Sequence, residues 1–148
     1  MSIWKELYDV VEKEFSRWQS RQHKQQTLVF EIQSNLLFLA EALKAQLPAK
    51  QIVAGLEHKA FDDALAQGLT LDRRLVTSTT IGDFDEFKKY IGKDSTYMVK
   101  NAYAKMKTLS KLVQADSQAN YDLKIKSLFR FMVLLAAHLD AKSLSKAE

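Results

Sequence analysis

Residues 2–47 read SIWKELYDVVEKEFSRWQSRQHKQQTLVFEIQSNLLFLAEALKAQL, with neither proline nor glycine to interrupt a helix. Apolar side chains recur on a heptad. Trp4, Val11, Trp18, Ile32 and Leu39 share one position, and Tyr8, Phe15, Val29, Leu36 and Leu43 share the other. Gln22 and Gln25 occupy the seam between the two halves without breaking phase. A turn there has no reason to keep the register, so the pattern predicts one helix of roughly 44 residues, about 66 Å long. The rival reading is two antiparallel helices broken at SRQHKQQ.

Shorter helices follow. Pro48 suits a first turn and Gly68 a helix stop, so Pro48 to Gly68 reads as one helix with Ile52, Val53, Leu56, Ala60 and Ala64 inward. Gly55 within it marks either a close helix approach or a weak spot. Residues 69–82 read as a connection with one helical turn, and Asp83 with Glu86 as a capping box placing Phe84, Phe87 and Ile91 inward. Asp94 or Ser95 starts a helix to about Ala115 on the stripe Met98, Ala102, Met106, Leu109 and Val113. The last helix is expected from near Ser117 to about Lys142, along Tyr121, Ile125, Leu128, Met132, Leu135 and Leu139. Between Leu128 and Leu139 it is apolar nearly all round, which implies burial on every side.

The expectation is an all-α helical bundle, residues 1–148 forming one domain. Helices of about 30–40 Å cannot cover a rod of about 66 Å. Uncovered, its large apolar side chains cost roughly 1.5–3 kcal/mol each. A homodimer resolves the mismatch, with the first and last helices as contact surfaces and Trp4, Trp18, Arg130, Phe131, Leu134 and His138 as candidate contact residues.

Composition narrows the chemistry. The chain has 148 residues, 47% of them hydrophobic and 27% charged, so disorder is not expected. It has no cysteine, which excludes disulfides, thiolate catalysis and Cys-ligated metal. Residues 1–87 hold 10 Lys/Arg against 13 Asp/Glu, and residues 88–148 hold 12 against 5. This dipolar distribution suits pairing with a second copy or an acidic partner. The start has no signal-peptide pattern, and Leu128–Leu139 is too short to span a bilayer. A cytoplasmic protein of bacterial or phage type is the expectation.

Four constellations carry possible chemistry. Lys100, Lys107 and Lys111 lie within about 40° of one another on a helix, near Lys88, Lys89, Lys93 and Lys105. They form either a solvated face or a track for a phosphate backbone, with Tyr97 and Tyr103 as potential stacking groups. Arg130 and His138 interrupt the most apolar stretch, where a buried charge needs a partner. His58 and Asp62 have metal-ligand spacing but no matching set elsewhere, so they read as an intrahelical ion pair. Arg17 and His23 form R-x5-H.

That spacing resembles the Arg-x4–6-His signature of HEPN-type helical ribonucleases, in which the Arg and His meet at a dimer cleft and cleave RNA through its 2′-OH. The resemblance covers seven residues and implies Arg17 and His23 as catalytic groups. Trp18 stands where that family usually has a polar residue, and the family motif typically lies near the last helix. The leading expectation is a non-enzymatic protein–protein interaction or oligomerisation module, without cofactor or metal. Nucleic-acid binding through the lysine stripe is the alternative, and HEPN-like RNA cleavage comes third.

Overall fold

The computed structural model describes Asp9, Val11, residues 26–140 and Leu144. Six α-helices follow in order within residues 26–140. They are α1 (Gln26–Lys44), α2 (Ala49–Gly55), α3 (Lys59–Ala66), α4 (Ser78–Ile81), α5 (Ser95–Ala115) and α6 (Asp122–Leu139), with a 3-10 segment at Asp85–Tyr90. The described part is all-α; its one extended pairing is an isolated antiparallel bridge between Leu75 and Asp94. None of its helices is long and apolar enough to cross a membrane.

The apolar girth of the last helix explains its position. α6 lies between α1 and α5 and also meets α4, so the circumference of its C-terminal half finds a neighbour. From Phe131 to Leu139 every residue is buried. Each large apolar side chain removed from water there contributes roughly 1.5–3 kcal/mol. The described half of the heptad seam faces the same interior, with Ile32, Leu36 and Leu39 fully buried. Val11 is helical and fully buried too. The rod through Gln22–Gln25, with Trp4, Trp18, Arg17 and His23, lies outside the described residues.

Chain punctuation follows local chemistry at several ends. α1 closes with Gln46 in the left-handed region at φ 57°. The Leu47 N–H then reaches the Ala42 carbonyl at 3.0 Å and the Gln46 N–H the Leu43 carbonyl at 3.1 Å, which satisfies carbonyls left over at a helix end. Asp94 caps α5 as expected, accepting the Tyr97 N–H at 2.8 Å.

Three boundaries differ from expectation. The expected Pro48–Gly68 helix is two helices, broken across residues 56–58. Gly55 does mark a close approach, because a Cβ there would lie 2.2 Å from the Phe38 ring. The peptide that leaves the helix is held by Asn35, whose amide donates to the Glu57 carbonyl at 2.7 Å and accepts the Glu57 N–H at 2.9 Å. The capping box belongs to Thr77 and Thr80 rather than Asp83 and Glu86. Phe84 and Phe87 point inward, but Ile91 is largely exposed. Finally, α6 starts at Asp122 rather than near Ser117. Asp116 and Asn120 each accept a backbone N–H two residues on, at 3.0 and 2.9 Å, and so favour turns. Tyr121 spends its hydroxyl on the C-terminal end of α5, at 2.8 Å from the Leu112 carbonyl.

Candidate functional site

Two polar clusters lie inside the bundle. The first gathers on Glu31 of α1, which is buried. Its carboxylate accepts the Ala60 N–H at 2.8 Å, the Phe61 N–H at 3.2 Å and the Tyr103 hydroxyl at 2.7 Å. Ala60 and Phe61 open α3, so a negative side chain from another helix satisfies donors that a helix start leaves over. Burial first, and then Glu31, push the Tyr103 hydroxyl far above its ordinary range, so it remains a proton donor. Its ring stacks on Phe61 at 4.3 Å with a 5° interplanar angle. This arrangement joins α1, α3 and α5.

The second cluster sits where α5 begins and α6 ends. Ser95 and His138 are both 1% exposed. The Ser95 hydroxyl donates to Asp72 at 3.0 Å, and His138 Nε2 lies 2.9 Å from the same oxygen. One hydroxyl has one proton. With that proton on Asp72, the Ser95 oxygen accepts from His138 in the tautomer protonated at Nε2. The serine, histidine and aspartate form a buried knot that ties the start of α5 to the end of α6 and to Asp72. Burial opposes ionisation of Asp72, but the Arg74 N–H and the Ser95 hydroxyl outweigh it and hold the carboxyl below its usual value.

The knot has a pH signature. Burial, the largest influence, pushes His138 below its ordinary value of 6.5. The unfolded chain therefore takes up this proton before the folded one. Its contribution is fully present above pH 6.5 and declines as pH falls through the window between the unfolded and folded values, at up to about 1.4 kcal/mol per pH unit. Urea unfolding at several pH values is expected to show this slope in the wild type and a shallower one in His138→Gln. Equal slopes would contradict the assignment.

The other expected residues are dispersed. Arg130 is half-buried beside a hollow of about 60 Å³ that Lys89, Tyr90 and Phe131 also line, whereas His138 belongs to the Ser95 knot. Eight residues of helix, about 12 Å, separate the two. Phe131 and Leu134 are core residues at 2% and 0% exposure. His58 pairs with Asp62 at 2.7 Å, as read from the spacing. Lys107 also binds Asp62 at 2.7 Å, so the centre of the lysine stripe is neutralised. Lys107 and Lys111 line a groove between α2 and α5 that Glu57 shares, while Lys100 is exposed elsewhere on α5. Tyr103 is internal, and Tyr97 lies under Lys93 at 4.9 Å. Among the described residues, no group of three or more His, Cys, Asp or Glu could hold a metal ion.

What the sequence did not single out is a groove of about 400 Å³ between α5 and α6. Leu109 and Leu128 form its floor, and Leu112 and Leu123 its uncovered rim. Leu123 is 82% exposed. Its charged lining residues are Lys105 and Lys124. Lys105 stands 5.5 Å above the Phe131 ring. Comparison of the chain with family models, curated proteins and solved structures gives no match.

Proposed function

We propose that this chain is a non-enzymatic helical interaction module, cytoplasmic and homodimeric, that docks a second protein. The observation that carries the reading is the uncovered leucine-lined groove between α5 and α6. A contiguous apolar recess with a polar rim is the usual form of a helix-binding surface. The state of the interior agrees with it: the Glu31 and Ser95 clusters spend their hydrogen bonds on holding helices together. Self-association is read from the N-terminal heptad pattern of the sequence, with Trp4 and Trp18 as its contact residues.

Sedimentation equilibrium at tens of micromolar is expected to give twice the chain mass of 17.0 kDa. The Leu123→Asp variant is expected to give the same mass, because the groove is reserved for another protein. A monomer that binds RNA or DNA with a steep salt dependence would replace this reading with the nucleic-acid alternative.

A further inference from the structure

From the charge of the groove and the chemistry of its walls, we infer that the α5–α6 groove takes an acidic amphipathic helix of a partner protein. The inference rests on the interaction reading above and adds the chemistry of the partner.

The first step concerns backbone. Both walls are helices whose main-chain groups are already paired along α5 and α6, so they offer no free edge to an extended strand. Only side chains are available for contact. Two neighbouring helices present a furrow into which a third packs its own ridge of side chains. The recess of about 400 Å³ has room for apolar side chains inserted between Leu112 and Leu123 and seated on Leu109 and Leu128.

The second step concerns charge. Among the described residues, Lys105 and Lys124 pair with no carboxylate. The Lys105 ammonium faces the Phe131 ring instead, a contact that leaves it able to meet an anion. Ser127 lines both the groove and the small hollow at the Phe131 end, so one surface continues into the other. That continuation adds Lys89 and a single acid, Glu86. Among the described residues, Lys89, Lys105 and Lys124 thus border an apolar floor against one carboxylate. A partner helix carrying Asp or Glu beside its apolar stripe gains attraction along this border, and one carrying Lys or Arg is repelled.

The test is a display library of amphipathic helices of about 20 residues, a length at which isolated helices begin to persist. The stripe is Leu, Ile or Phe, the flanks are randomised, and selection is on the purified wild-type protein. Binders are expected to be enriched in Asp and Glu at the flanks. Leu123→Asp is expected to lower their affinity at least tenfold, because it removes an apolar contact and sets a carboxylate against acidic flanks. Lys105→Glu combined with Lys124→Glu is expected to lower it about three- to tenfold and to favour basic flanks on reselection. Circular dichroism and urea unfolding, unchanged in these surface variants, exclude misfolding as the cause.

Neutral or basic flanks, or binding that survives Leu123→Asp, would overturn this inference and leave the interaction reading in place. A dimer in sedimentation that becomes a monomer in Leu123→Asp would do the same, because the groove would then belong to the second copy. Selection that yields no groove binder, from a chain that is also monomeric, would overturn both. Anionic vesicles form the remaining arm: Leu123-dependent capture on them without helix binding assigns the groove to a membrane surface and overturns the partner helix.

Discussion

Glu31→Ala is expected to destabilise the protein by about 3–5 kcal/mol, because it orphans two buried donors and one half-buried donor, each buried one costing about 1–3 kcal/mol with incomplete additivity. The donors are the N–H groups of Ala60 and Phe61 and the hydroxyl of Tyr103. A loss of that size is a large fraction of the roughly 5–15 kcal/mol that holds a typical domain folded. Glu31→Gln keeps one acceptor oxygen and is expected to cost less, about 1–2 kcal/mol. The diagnostic variant is Glu31→Ala combined with Tyr103→Phe. Deleting the hydroxyl together with its acceptor removes one orphan, so the double variant is expected to be more stable than Glu31→Ala alone. Urea denaturation of the wild type, Glu31→Ala, Tyr103→Phe and the double variant forms a complete cycle. Strict additivity of the two single losses would show that Glu31 and Tyr103 do not act as a unit.

Phe131→Ala is expected to cost about 3–5 kcal/mol, the range for emptying a buried aromatic site. Phe131 is 2% exposed, meets Tyr90 edge-on at 4.9 Å and an 89° interplanar angle, and lies beneath Lys105. Leu123→Ala removes an 82% exposed side chain and is expected to change stability by no more than about 0.5 kcal/mol. The two residues exchange the roles that apolar patterning suggests. Phe131 had the look of a contact residue and is held inside the subunit, whereas Leu123 drew no notice and stands open to water. Thermal or urea unfolding compares the two variants directly. Similar losses at both positions would mean that the α5–α6 groove is packed shut in solution.

Local features of the fold were legible in the residues that cause them. Asp94 caps α5, Met98 to Val113 give it a buried stripe, and the apolar girth of Leu128–Leu139 places α6 in the centre. The failures have non-local causes. The break after Gly55 is held by Asn35, which lies 22 residues before Glu57 and supplies the hydrogen bonds that Glu57 would otherwise find in a continuous helix. A wheel of α1 did contain a clue, since Asn35 falls between Leu28 and Ala42, both 2% exposed. The partner of His138 is Ser95, 43 residues earlier and itself the first residue of α5. No spacing rule links them. Reading the lysine stripe from one helix takes no account of Asp62 arriving from α3. Leu123 was hidden by the opposite problem: one apolar residue at the start of an apolar helix gives no sign of which way it will face.

The break beside Gly55 has a mechanical consequence. α2 and α3, with seven and eight residues, are too short to persist alone, and two side chains of α1 latch them down. Asn35 clasps the joint between them, and Glu31 clasps the first turn of α3. The same pair is also fastened to α5, through Phe61 stacked on Tyr103 and Asp62 paired with Lys107. Because Glu31 accepts from Tyr103 as well as from the start of α3, loss of that one carboxylate unfastens two helices that are 29 or more residues away from it in the chain.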